Sequence, residues 1–221
     1  MPNDKYNNEG YNALQQKLAG QLDFSQASLY KPKRGDIIAT VDVLYSNEIA
    51  SVGIDITEWP HQPVKTLTFQ TKVSGQYIPG YFSFYEGPVI VETIAWLKGQ
   101  NINPALLVVD GHGLAHPRYF GLACYAGVQT GLPVIGVAKK NLLPYNAEGL
   151  NKKRYVEHGF FREKEKIGVA IRLQENKAPV FISPGNKISL ETAIAVIKQL
   201  TTEYKFPDNI RRADQASRSG S

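Results

Sequence analysis

Two short runs in this chain contain only apolar residues, Ala105-Leu-Leu-Val-Val109 and Val134-Ile-Gly-Val-Ala138, and a helix-length stretch separates them. A strand with one face in water alternates apolar and polar positions. One with no polar position is covered on both faces, the condition of a central parallel strand. Parallel neighbours need a crossover, and Arg118 to Thr130 has the length and composition of the helix that makes it, in the right-handed sense. Each run also ends on a charge, Asp110 after the first and Lys139 after the second. Open α/β sheets place ligand-contacting groups at that rim.

Upstream, Asp36 to Tyr45, Glu48 to Thr57 and Val64 to Val73 are rich in β-formers and joined by turn chemistry at Ser46-Asn47 and Pro60 to Pro63, which predicts an antiparallel meander. Tyr11, Leu14, Leu18 and Leu22 recur at near-helical spacing and predict a first helix; Gly87 to Gly99 predicts a second. Three further β-like runs lie between Arg154 and Pro184. A last helix is expected over Ser189 to Tyr204, capped by Ser189 with Glu191 in its first turn. Three antiparallel strands followed by parallel βαβ units, flanked by helices, is an α/β order with a mixed sheet, that of the ribonuclease H-like architecture. The 221 residues, 43% hydrophobic, suit one domain over residues 1–215, with 216–221, small and polar, as a flexible tail.

The single cysteine, Cys124, leaves no internal disulfide and no cysteine-built zinc site, and implies a reducing compartment. Met1 to Tyr11 lacks an apolar signal core, and no stretch approaches the length that spans a bilayer. A cytoplasmic, monomeric protein without a membrane partner is expected. The net charge of +5 suits a polyanionic partner without requiring one.

Among the candidate site residues, Asp42 lies inside a β-run where an unpaired buried carboxylate would be costly. It either faces solvent, as Asp55 in a similar run would, or has a compensating partner. Asp110 and Lys139, on neighbouring strands, form either a structural salt bridge or a metal ligand beside a phosphate-binding cation. Asp110-Gly-His-Gly113 carries two glycines that permit close approach of backbone to a ligand, or simply a tight turn. His112 and His116 lack the spacing of a zinc site; hard carboxylates favour Mg²⁺, with Mn²⁺ as a substitute. Tyr77-Ile-Pro-Gly80 is either a core-capping turn or an apolar wedge of the kind that enters a base stack.

Three segments together resemble the endonuclease V family: Gln76-Tyr-Ile-Pro-Gly-Tyr-Phe-Ser-Phe-Tyr-Glu-Gly-Pro88, Val109-Asp-Gly-His-Gly-Leu-Ala-His-Pro-Arg118 and Pro133-Val-Ile-Gly-Val-Ala-Lys-Lys140. Val41-Asp-Val43 precedes them in the family's order; Pro179-Val-Phe-Ile-Ser-Pro-Gly185 with Ile188-Ser189, and then Arg212-Ala-Asp214, follow, so the likeness runs from about Gly35 to Asp214. The resemblance implies that Asp42, Glu86 and Asp110 hold the metal, that Asp214 stands at a fourth acidic position and that Lys139 is the active-site lysine. It implies a wedge of Tyr77 and Pro79 and surroundings of the extruded base that include Gly80, Gly111, Gly113 and His116; Ile78 in the same turn, Phe82 beside it and the basic Arg118 near the rim complete the expected substrate-binding residues. The implied reaction is hydrolysis of a phosphodiester on the 3′ side of deoxyinosine in DNA or inosine in RNA. A non-catalytic inosine or junction binder, or another ribonuclease H-like nuclease such as a resolvase, are the alternatives. Gln76, Tyr85, Tyr125 and Asn186 stand where the family usually carries Pro, Arg, His and His.

Overall fold

The computed structural model describes residues 9–73, 77–145 and 150–219. Helix α1 (Glu9–Ala19) precedes the meander β1 (Ile37–Ser46), β2 (Ile49–Glu58) and β3 (Gln62–Lys72). Helix α2 (Phe82–Gly99), β4 (Leu106–Val109), α3 (Leu122–Thr130) and β5 (Val134–Ala138) follow. The chain then makes β6 (Glu157–Arg162), β7 (Glu165–Ile171), β8 (Val180–Asn186), α4 (Leu190–Gln199) and α5 (Asp208–Ser219).

All eight strands form one sheet in the order β3-β2-β1-β4-β5-β8-β7-β6. The pairs β1–β4 and β4–β5 are parallel; the others are antiparallel. This is the mixed α/β sheet expected, with β4 and β5 side by side at its centre, every residue of both buried. Among the described residues no helix is long and apolar enough to cross a membrane.

Period-2 alternation divides the strands between two cores. Ile38, Leu106, Val108, Ile135 and Val137 face α4, where Ile194 and Ile197 meet them. Ala39, Val41, Val52, Ile54, Leu107 and Val109 face α2 and α3, where Ile90, Ile94 and Leu122 meet them. On β1 and β2 the face opposite Val41 and Ile54 carries Thr40, Asp42, Gly53 and Asp55, and α5 lies across it. Asn209 Nδ2 donates to Thr40 Oγ1 at 2.6 Å, and Arg212 pairs with Asp55, which is 1% exposed. Asp55 therefore holds a helix to the sheet and does not face solvent.

Four expectations change, the first being that the helix expected to run from Ser189 to Tyr204 ends at Gln199. Helix α2 begins at Phe82, not Gly87, so the Tyr77 to Gly80 turn feeds directly into it. Gly87 marks a close approach, since a Cβ there would stand 2.2 Å from the Tyr125 ring. Helix α3 begins at Leu122, after an irregular loop occupying Asp110 to Gly121. The segment set aside as a tail is helical as far as Ser219: α5 presents Ile210, Ala213 and Ser217 to the protein at helical spacing, and Ser217 is 1% exposed. Residues 220 and 221 lie outside the described region, as does Gln76.

Candidate active site

Strand β1 carries Asp42 on its α5 face, and β4 ends so that Asp110 emerges on the same side. Strand β5, parallel to β4, delivers Lys139 one residue past its own end. The three meet. Lys139 Nζ lies 2.6 Å from Asp110 Oδ2, 4.0 Å from Asp42 Oδ1 and 3.8 Å from Asp214 Oδ1, the last supplied by α5. Glu86, from the first turns of α2, is buried and accepts a hydrogen bond from the Tyr45 hydroxyl at 3.0 Å.

Four carboxylates around one ammonium shift one another's proton affinities. Glu86 is pushed up to about 8, chiefly by burial, with the Tyr45 hydroxyl opposing and Asp110 and Asp42 adding to the rise. Asp42 is raised to about 6, again chiefly by burial and then by Asp110, while Lys139 and the Ser217 hydroxyl oppose. Asp214 moves the other way because it accepts from Arg218. Lys139 is raised: burial opposes its charge, but the aspartates outweigh that. Such crowding is typical of a site built to receive additional positive charge.

The missing side chain of Gly53 positions α5. Gly53 pairs with Asp42 in the β1–β2 register, and a Cβ on it would stand 1.9 Å from the Ala213 carbonyl oxygen and 2.3 Å from the Ser217 nitrogen. Helix α5 therefore rests on bare backbone. Ser217 Oγ lies 3.0 Å from Asp42 Oδ2 and 2.9 Å from the Asp214 carbonyl, so its hydroxyl proton is divided between the Asp42 carboxylate and the backbone carbonyl of Asp214.

Beside the carboxylates opens a cavity of about 520 Å³ lined by Tyr77, Gly80, Phe82, Asp110, Gly111, His112, His116, Arg118 and Lys139, among others. Tyr77 is 52% exposed and stands edge-on to Phe82 and Tyr85, with ring centroids 6.3 and 5.8 Å away. Gly80 has a φ of +84°, which lets the turn double back. Its carbonyl accepts from Arg118, whose guanidinium also donates to Gln15 and lies over the Tyr81 ring. Arg118 thus braces the Tyr77 to Gly80 turn. His116 accepts from the Arg118 backbone N–H through Nδ1, and burial holds its pKa down to about 3, so it is neutral. A cavity of about 540 Å³ beyond the Pro117-Arg118-Tyr119 segment carries no comparable set of acids.

Most expected site residues come together here, but not all. Ile78 and Pro79 stand in the turn without lining the cavity. Gly113 serves packing: its N–H donates to Ser183 Oγ, and a Cβ would strike the Pro184 carbonyl at 2.1 Å. Two of the residues that depart from the family pattern also have local explanations. Tyr85 packs between Tyr45, tilted against its ring, and Tyr77, edge-on to it, and Asn186, 2% exposed, ties three segments together by accepting from the Asp23 N–H and donating to the Gly127 and Leu132 carbonyls. Sequence reasoning missed Tyr45, Gly53 and Ser217. Only Ser217 carried a signal, its spacing from Ile210 and Ala213.

Among the described residues no three His, Cys, Asp or Glu side chains already stand as a ready-made metal shell. The donors are nonetheless all carboxylate oxygens, from β1, β4, α2 and α5, a set that fits a hard divalent cation.

The endonuclease V family model matches residues 16–215. Endonuclease V of Roseiflexus castenholzii is 37% identical over 184 residues, 83% of this chain and 81% of that one. The crystal structure of endonuclease V from Streptomyces avermitilis superimposes with a TM-score of 0.83 at 32% identity, covering 96% of this chain and 92% of that one. Ciona intestinalis endonuclease V, solved with a 24mer DNA containing an inosine followed by a ribo-adenosine, superimposes with a TM-score of 0.81 at 26% identity, covering 96% of each chain. With a family match spanning almost the whole described chain and an acidic rim built from the motifs that first suggested it, the chain belongs to the endonuclease V family.

Proposed function

We propose that the chain is a metal-dependent endonuclease that hydrolyses a phosphodiester on the 3′ side of a deaminated purine, deoxyinosine in DNA or inosine in RNA. The observation that carries this reading is the meeting of Asp42, Asp110 and Asp214 on the Lys139 ammonium at the mouth of a cavity walled by Tyr77 and Phe82. A relative with the same fold, solved with inosine-containing DNA, supports the substrate class.

Asp42, Asp110 and Glu86 would hold Mg²⁺, or Mn²⁺ in its place, with Asp214 the fourth acid at the site. When bound, the metal supplies polarisation of the phosphate and activation of the attacking water. Lys139 neutralises charge on the phosphate, and Ser217 keeps the Asp42 carboxylate oriented. Attack by water leaves 3′-hydroxyl and 5′-phosphate ends. Tyr77, backed by Phe82 and Tyr85, enters the stack as the base leaves it, while Gly80, Gly111 and the neutral His116 shape a pocket that admits hypoxanthine. Guanine, with its 2-amino group, is excluded by size.

Cleavage assays on inosine-containing single- and double-stranded DNA and RNA, with guanine controls and with Mg²⁺ or EDTA, test this. Cutting that EDTA abolishes and that is at least about tenfold faster on inosine is expected. Equal cutting of inosine and guanine strands, or none of either, rejects it.

A further inference from the structure

Lys139 borders a second cavity on the far side from Tyr77. Its volume is about 260 Å³, and Lys139, Phe206, Ile210, Arg211, Asp214 and Gln215 line it. The two cavities share Lys139; Asp110 lies in the wall of one and Asp214 in the wall of the other. The carboxylate cluster is therefore a saddle between them, and a strand whose base fills the larger cavity and whose phosphate sits on the saddle has this second cavity in its path.

The lining is of the kind that holds a nucleotide. The Phe206 ring, partly exposed, has Lys139 Nζ 5.8 Å and Lys205 Nζ 4.9 Å from its centroid. Beyond it Tyr204, 47% exposed, carries the Arg211 guanidinium 3.2 Å from its ring centroid. Arg211 is only loosely held on its own helix, with Asp208 at 3.9 Å. Aromatic faces alternating with cations along a groove suit single-stranded nucleic acid, bases on the rings and phosphates on the charges. Apart from Lys139, the residues named here, Tyr204, Lys205, Phe206 and Arg211, fall outside the motifs that define the acidic rim.

We infer that the cavity between Lys139 and α5 is a binding site for the nucleotide immediately downstream, on the 3′ side, of the scissile bond, with its base on Phe206 and its phosphate held by Arg211. The inference rests on the proposed function, which places the deaminated base in the larger cavity and the cut 3′ to it. Downstream chain must then leave over Phe206, and upstream chain over the Tyr77 side.

Fluorescence anisotropy in EDTA tests it with three single strands: an inosine with six nucleotides on each side, the same strand cut back on its 3′ side to end at the inosine itself, and one cut back to one nucleotide 5′. Phe206→Ala should weaken binding of the full strand about tenfold, the loss of one stacked base. Arg211→Gln should weaken it too and flatten the log–log salt dependence by about 0.7, the loss of one phosphate contact. Both effects should vanish on the 3′-shortened strand and persist on the 5′-shortened one. Losses equal on all three strands, losses that follow the 5′ extension, or no loss in Arg211→Gln would overturn the site. Parent protein that cuts inosine and guanine strands alike would instead remove the functional reading beneath it. Since Phe206 also touches the α4-side core, Arg211→Gln decides the matter if Phe206→Ala lowers Tm.

Discussion

Gly53 stands directly across the β1–β2 ladder from Asp42, and the space its missing side chain leaves is filled by the Ala213 carbonyl of α5. The aspartate on one strand and the glycine on the next are thus parts of one device: the glycine admits the helix that brings Asp214 and Ser217 to the aspartate. Gly53→Ala should lower Tm by about 5 °C, as expected when an extra carbon is forced against backbone in a packed interior. Cleavage should fall at least about tenfold, because the backbone that must yield is the backbone that carries Asp214. A variant with a depressed Tm and full activity would separate α5 from the chemistry.

The acidic rim gives a second test. Asp110→Asn and Asp42→Asn should each reduce cleavage by about a hundredfold or more while leaving the circular dichroism spectrum unchanged, and Mg²⁺ titrated calorimetrically should bind more weakly to both. Full activity in either variant would exclude that residue as a metal ligand.

Glu86 makes a prediction about stability in the metal-free protein. Its carboxyl has an ordinary value of 4.5 and is raised to about 8 by burial. Between those values the folded protein holds a proton that the unfolded chain releases, so stability falls as pH rises from about 4.5 to about 8 and then levels. Glu86→Gln removes that loss. In EDTA the variant should melt close to the parent at pH 5 and at least about 5 °C above it at pH 8.5. A gap between parent and variant that does not widen with pH would show that Glu86 is ionised in the fold.

Tyr77 projects into solvent from a turn braced by Arg118, which suits a wedge. Tyr77→Ala should slow cleavage of an inosine duplex about tenfold more than of an inosine single strand, because only the duplex must be unpaired as well as unstacked. Mg²⁺ affinity should not change. Equal slowing on both substrates would make Tyr77 a packing residue.

The central strands and the charges at their ends could be read directly from the chain, since two wholly apolar runs have few other fates and a charge just past each must sit at the rim. The meander was legible for the same kind of reason. The destination of the polar residues on β1 and β2 was not. Thr40, Asp42, Asp55 and Thr57 alternate with apolar neighbours as the water-facing side of a strand would, yet α5, with Arg212 and Asn209, covers them. Periodicity records that a face is polar without recording what lies on it. The mean hydropathy of α5 is low, and its buried stripe of Ile210, Ala213 and Ser217 is made mostly of small residues, so the helix that completes the site resembled a solvated tail. Glu86 was found only through the family motif: Gly87-Pro88 mimics a helix start, and the glycine's real service is to the Tyr125 ring, which is remote in sequence.

Because α5 is the latest of the described elements in chain order, a growing polypeptide that has already emitted Asp42, Glu86, Asp110 and Lys139 still lacks Asp214 and the Ser217 clasp. Helix α5 finds its seat only where β1 and β2 are paired with Gly53 in register, and its Ile210 joins Ile38 and Leu106 in the core on the α4 side of the sheet. Among the described residues, the acidic group around Lys139 is therefore assembled from segments spread over more than 170 positions of the chain, from Asp42 to Asp214, and is complete only when the latest of the described helices lies over the meander.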